Sequence, residues 1–304
     1  MSLLATLKPN GPSGFGYGST ASEVTEGLDL SGKTYLLTGC NSGIGLETLK
    51  ALSSRGAHMI AAARTVEKAT RASEGLPEVT PVACELSEPG SVRACVEAVK
   101  ATGRALDGVI CNAGIMALPE LTLQHGYELQ FMTNHIGHFI LVTGLLDALS
   151  AEGRVVMVSS AAHKTTPRGG IRFDNLDGSK GYQGWMFYGQ SKLANLLLAK
   201  ELSRRFMGTR KTANALHPGV IKTNLGRHMG VVANIGLAIG NPLFLKSIPQ
   251  GAATQCYVAT HPSLAGVSGE YFADCNVARP SRHARDADLA RKLWETSEEI
   301  VAGL

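Results

Sequence analysis

The chain has 304 residues, 44% apolar and 18% charged, which is enough to bury a large core and too apolar for a disordered segment. Its 29 basic and 25 acidic residues leave a formal charge of +4 with no Lys/Arg block, arguing against a nucleic-acid binder. No stretch reaches the roughly 20 apolar residues that span a bilayer. The N-terminus lacks the cationic and apolar regions of a secretory signal, and the six cysteines form no C-x-x-C pair. Reduced thiols in a cytoplasmic protein without a transmembrane segment are therefore expected.

Residues 1–27, rich in Gly, Ser and Thr, read as an extended arm outside the main core. From residue 28 onward, short apolar runs alternate with helical patterns. Strands are predicted at 34–38, 58–63, 79–84, 108–111, 154–159, 212–217 and 270–272. Helices are predicted at 43–55, 67–74, 88–102, 126–150 and 185–207. Near-continuous apolar strands separated by helices imply a mostly parallel sheet covered on both faces. The expectation is a single doubly wound α/β domain of the Rossmann type over residues 28–304, with a seven-stranded sheet.

The first strand runs into Thr38-Gly39-Cys40-Asn41-Ser42-Gly43-Ile44-Gly45 and then into a helix. Glycines at such a junction let backbone approach a pyrophosphate, and the helix N-terminus presents N–H groups and a positive dipole end to it. No Gly-Lys-Ser/Thr follows, so the turn is not a P-loop. The second strand ends at Ala63-Arg64 with no acidic residue to hold a ribose 2′-hydroxyl. Arg64 fits a 2′-phosphate, and NADP(H) is expected over NAD(H).

Tyr188 and Lys192 are four apart in a helical segment and share a face. An ammonium beside a phenol favours the phenolate, so the pair can exchange a proton with a carbonyl or alcohol oxygen while hydride moves to or from nicotinamide. The strand at 154–159 leads to Ser159 and Ser160, and the fourth strand to Asn112-Ala113-Gly114. Strand C-termini line the ligand crevice of such sheets, and a serine hydroxyl there can donate to a substrate oxygen. Asn134 lies in the helical region that follows.

TGCNSGIG, CNAG, Asn134, Ser160, YGQSK and HPGVIKT occur in the order seen in short-chain dehydrogenases/reductases. The resemblance covers roughly residues 28–304. The segments GIRFDNLDGSKGYQGWMFYGQSKLANLLLAKELSRR and GEYFADCNVARPS resemble the retinol dehydrogenase and WW-domain oxidoreductase branch. It implies Tyr188 as general acid/base, Lys192 on the nicotinamide ribose, Ser160 rather than Ser159 on the substrate oxygen, and Asn134 ordering a relay water. It further implies cofactor contacts from Gly39, Asn41, Ser42, Gly43, Ile44, Gly45 and Arg64. Asn112, Ala113 and Gly114 would line the adenine–ribose side, and Pro218, Gly219, Val220 and Thr223 the nicotinamide end. Where relatives often carry Asp near adenine this chain has Glu85-Leu86, assigned the same place. A homodimer is the family expectation.

The linker between Ser160 and Tyr188 is long and carries Phe173, Tyr182, Trp185 and Phe187; an apolar, glycine-rich stretch follows the HPG motif. A substrate loop at about 165–187 and a lid at about 224–249 would form an apolar pocket, with Met116, His163, Trp185 and Phe187 as substrate contacts. The expected substrate is a small molecule, a bulky, hydrophobic ketone, aldehyde or secondary alcohol. His135 and His138 read as helix packing rather than metal ligands, and no metal is expected. Two other readings stay open: reduction or epimerisation of another functional group on the same fold, and a non-catalytic NADP-sensing protein.

Overall fold

A computed structural model describes residues 8–221 and 245–304. The strands are β1 (Thr34–Thr38), β2 (His58–Ala63), β3 (Val79–Ala83), β4 (Leu106–Cys111), the short pair β5 (Leu123–Gln124) and β6 (Tyr127–Glu128), β7 (Leu149–Val158), β8 (Thr212–His217), β9 (Tyr271–Ala273) and β10 (Asn276–Val277). Among the described residues eight of them form one sheet in the order β10-β9-β8-β7-β4-β1-β2-β3. All its neighbours run parallel except β9 and β10. The sheet thus contains the seven expected strands plus an eighth. Its edge strand β10 is joined through Asp274 and Cys275, both in the left-handed region at φ 51 and 60. A two-residue strand is too short to leave a periodic signal in the sequence.

Every residue of β1 and β2 is buried, as a sheet covered on both sides requires. Among the described residues the α-helices longer than three residues are α1 (Ala21–Val24), α2 (Gly43–Ser53), α3 (Val66–Ser73), α4 (Pro89–Lys100), α5 (Gly137–Gly144), α6 (Gly184–Arg205), α7 (Ile248–Thr260) and α8 (Ala287–Ala302). One apolar layer joins α4, α5, α6 and α8 to the sheet through residues such as Val96, Leu141, Leu197 and Trp294. The other joins α1, α2, α3 and α7 through Val24, Leu49, Ala69 and Cys256. Each fully buried Leu or Phe side chain stabilises the fold by roughly 1.5–3 kcal/mol. From β1 the chain winds outward through β2 and β3; from β4 it winds the other way. The reversal between β1 and β4 opens a crevice above their C-terminal ends, and this is where the glycine turn lies.

Two expectations need correction. The described part of the N-terminal arm is not outside the core. Thr20 and Glu23 form a capping box on α1, Ala21 and Val24 are buried, and Phe15 meets Tyr257 edge-on with ring centroids 5.6 Å apart. The polar composition concealed the few apolar residues that dock. The expected single helix over 126–150 is also broken. His125 and Gly126 turn the β5–β6 hairpin, Met132–Ile136 is a π-helical stretch, and β7 already begins at Leu149, which pairs with Leu106. Tertiary strand pairing overrides the helix-favouring composition of Leu145–Ser150.

Candidate active site

A cavity of about 1070 Å³ runs across the C-terminal ends of the central strands. At one end is the glycine turn. Ser42 precedes α2 without capping it by its side chain, and Gly39 and Gly43 have φ of 69 and 54. A Cβ at Gly45 would strike the carbonyl oxygen of Gly39, so only glycine allows the turn to close. Asn112 ties this turn to β4: its Nδ2 donates to Thr38 O at 2.8 Å, while the backbone N–H groups of Asn112 and Ala113 donate to Thr38 Oγ1 at 3.0 Å each. His138 backs the same threonine, with Nε2 2.9 Å from Thr38 Oγ1 and Nδ1 2.9 Å from Asn134 O. Because Nδ1 faces a carbonyl it carries the proton, and Nε2 accepts from the hydroxyl. Burial holds this imidazole neutral, down at about 4. A backbone cradle at a helix N-terminus fits the pyrophosphate of a dinucleotide. Beside it Arg64, exposed and only 4.0 Å from Glu85, and Lys68 reach the same cavity.

At the other end α6 presents Tyr188 and Lys192. Burial pushes Tyr188 up to about 12, with a side-chain hydrogen bond from Ser160 acting the opposite way. Burial pushes Lys192 down to about 8. Its Nζ donates to Val158 O at the end of β7 at 3.0 Å, and lies 5.8 Å from the Tyr188 ring. The expectation that the ammonium depresses the phenol is thus outweighed by desolvation. Ser159 Oγ donates to Lys192 O at 2.7 Å, which commits that hydroxyl to the helix. Ser160 Oγ accepts from Ala162 N at 3.2 Å and keeps its own proton to donate.

The cavity wall contains every expected cofactor residue among those described: Gly39, Asn41, Ser42, Gly43, Ile44, Gly45, Arg64, Glu85, Leu86, Asn112, Ala113, Gly114, Tyr188, Lys192, Pro218, Gly219 and Val220, together with Ser160, Met116 and Trp185. Thr223 and most of the expected lid lie outside the described residues. Three candidates are placed elsewhere. Asn134 is buried behind the wall: its Nδ2 donates to Ile115 O and Ser191 Oγ, both at 2.9 Å, and its Oδ1 accepts from Ile115 N at 2.8 Å. These bonds tie the Ile115 segment to α6. His163 is not a substrate contact; Nδ1 donates to Ser160 O at 2.6 Å and Nε2 accepts from Ser281 N at 3.0 Å, while its ring meets Tyr271. Phe187 is buried against Tyr182 at 5.0 Å between centroids. Both side chains are buried, at 0% and 3% exposure. His135 packs too, with Nε2 2.9 Å from Ser297 Oγ.

The sequence reading missed Lys68, Thr133 and Leu129 on the cavity wall; His217 and Ile221, from the HPGVIKT motif, and Leu245, from the expected lid, line it too. Lys68 could have been found, since it stands one helical turn beyond Arg64. Thr133 and Leu129 carry no local signal. His217 accepts from Ala161 N at 3.3 Å, and burial holds it down at about 4.

The short chain dehydrogenase family model matches residues 33–173. Two short-chain dehydrogenases of Brassica napus, TIC 32 A and TIC 32 B, are each 45% identical over 97% of this chain and 96% of their own length. The chain belongs to the short-chain dehydrogenase family. Human retinol dehydrogenase 14 is 40% identical over 90% of this chain and 87% of its own. Human WW domain-containing oxidoreductase is 38% identical over 93% and 71%. These relatives set the chain in the retinol dehydrogenase and WW-domain oxidoreductase branch, among oxidoreductases that act on CH–OH and C=O groups with a nicotinamide cofactor. A solved protein from Mycobacterium paratuberculosis superposes with a TM-score of 0.76 at 32% identity, covering 92% of this chain and 97% of that one. A Burkholderia cenocepacia short chain dehydrogenase solved with NADP superposes with a TM-score of 0.64 at 23% identity, over 80% and 96%, a likeness of fold. One expectation is overturned. Both TIC 32 proteins are described as chloroplastic, so a cytoplasmic location does not stand. It rested on the lack of a secretory signal, and that lack does not distinguish cytoplasm from plastid. Among the described residues, no helix is long and apolar enough to cross a membrane.

Proposed function

We propose that this protein is an NADP(H)-dependent oxidoreductase that interconverts a bulky, hydrophobic ketone or aldehyde and its alcohol. The carrying observation is the division of charge along one cavity. Among the described residues its charged lining is Arg64, Lys68 and Glu85 near the ends of β2 and β3, and Lys192 beside Tyr188. The first group suits a nucleotide bearing a 2′-phosphate. The second end offers a proton donor and hydroxyls among Met116, Leu129, Ile221, Leu245 and the half-exposed ring of Trp185, 6.0 Å from the Tyr188 ring.

The nicotinamide, when bound, supplies or accepts the hydride. The chain supplies the rest. Ser160 donates a hydrogen bond to the carbonyl oxygen and polarises it. Tyr188, a phenol whose proton affinity burial raises further, gives its proton to that oxygen as charge develops there. In the oxidative direction Tyr188 takes the alcohol proton. Lys192, fixed by Val158 O, faces the ribose and steadies the phenolate once it forms. Asn134 positions the Ile115 segment against α6, and Glu85 lies where adenine would sit.

The test is oxidation of NADPH and NADH by purified protein across aliphatic, aryl, retinoid and steroid carbonyls, with Tyr188→Phe as control. Turnover of apolar carbonyls with NADPH, lost in the variant, supports the reading; wild-type turnover by Tyr188→Phe overturns it. The TIC 32 relatives support a chloroplast location, which a fluorescent fusion of the full chain checks. A homodimer is read from solution mass by light scattering.

A further inference from the structure

Lys246 has a side chain only 1% exposed, yet it is not part of the cavity wall. Its ammonium meets Asp274 Oδ1 at 2.7 Å and lies 4.8 Å from the centroid of the Tyr17 ring. The same ring and carboxylate also meet Lys8, at 5.0 and 3.9 Å. The stem of Lys246 lies directly under the strap that follows β8. A Cβ at Gly219, where φ is +99, would come within 2.6 Å of Lys246 Cδ. Lys246 N donates to Val220 O at 2.9 Å, and Ile221 pairs with Lys246 in a short parallel bridge. Pro218, Gly219 and Val220 of that strap form part of the cavity wall.

The anchor is itself held by the N-terminal arm. Ser13 N donates to Asn276 Oδ1 and Asn276 Nδ2 donates to Phe15 O, both at 3.0 Å, fixing the β9–β10 turn that carries Asp274. Gln250 Nε2 donates to Gly18 O at 3.2 Å. Burying an ammonium is unfavourable unless it is paired, and an apolar side chain fills such a space at less cost. A lysine tied at its head and packed along its stem instead fixes the position of whatever rests on it.

We propose that Lys246, anchored by Asp274 and the Tyr17 arm, is a positioning residue that sets the height of the Pro218–Val220 strap and thereby the affinity for the nicotinamide half of the cofactor. The proposal rests on reading that strap as the nicotinamide end. It makes the N-terminal arm a support of the cofactor site.

The experiment is calorimetric titration of wild type, Lys246→Met, Asp274→Asn and the double variant with NADPH and with adenosine 2′,5′-bisphosphate, which reaches only the Arg64 end. Thermal melts without ligand run alongside. Each single variant is expected to bind NADPH about tenfold more weakly while its affinity for the bisphosphate stays within about twofold, and the double variant loses no more than either single because one anchor is removed in all three. The double variant regains melting temperature, since it leaves no unpaired buried charge, but does not regain NADPH affinity. Equal NADPH binding by wild type and the double variant overturns the proposal, and so does a parallel loss of both ligands, which marks a general structural role. A wild-type protein that binds the bisphosphate and NADPH equally well removes the nicotinamide reading of the strap and the proposal with it.

Discussion

The two ends of the cavity are built from different materials. The glycine end is mostly backbone, with N–H groups at the start of α2 and a turn stapled by Asn112 and Thr38. The tyrosine end is made of side chains, with Ser160, Tyr188 and Lys192 aimed by the end of β7 and one face of α6. A site made of backbone is broken by adding an atom, because a Cβ occupies the space the ligand or the turn needs. A site made of side chains is broken by removing one, because chemistry depends on a single oxygen or nitrogen.

The largest expected effect follows from that contrast at the tyrosine end. Tyr188→Phe should lower turnover about 10³-fold while NADPH affinity stays near wild type, since the proton donor is lost but no wall is moved; single-turnover kinetics with a titration of NADPH check both halves. At the glycine end the pattern should reverse. Gly45→Ala places its Cβ on Gly39 O, so NADPH binding should weaken by about 10²-fold, or fold stability should fall, with no residual tight site. Normal binding by a folded Gly45→Ala protein would break the comparison.

Arg64→Ala sharpens it within the nucleotide end. Loss of one charge-assisted contact should narrow the preference for NADPH over NADH by about tenfold, leaving the NADH constants little changed. The smallest effect concerns the scaffold shared by both ends. His138 and His135 are held neutral by burial, at about 4 and about 3 against an ordinary value of 6.5. Their folded-state values are depressed, so the unfolded chain binds more protons below pH 6.5. Stability is therefore complete above about pH 6.5 and falls as pH drops toward 4, by on the order of a few kcal/mol. Urea unfolding at pH 7 and pH 5 measures it; equal midpoints would show that these imidazoles are not buried neutral.

Much of the nucleotide end was legible because its signals are local. Gly39, Gly43 and Gly45 mark a turn that other residues cannot form, Arg64 closes a fully apolar strand, and Tyr188 and Lys192 share a face through helical periodicity alone. The misread residues are those whose roles depend on distant partners. His163 was read as a substrate contact, but Ser281 and Tyr271, far along the chain, turn it inward. The contacts of Asn134 with Ile115 and Ser191 are likewise made across the fold.

By itself, then, the sequence determined the alternation of elements, the parallel sheet and the residue types at the crevice, because periodicity, glycine conformation and strand burial act over a few neighbours. Only the tertiary structure decided that the polar arm docks through Phe15, Ala21 and Val24, that residues 145–150 turn and pair as strand instead of extending a helix, and that burial raises the proton affinity of Tyr188. Each of these is settled by groups distant in the chain and adjacent in space, and desolvation exists only once the fold has closed around them.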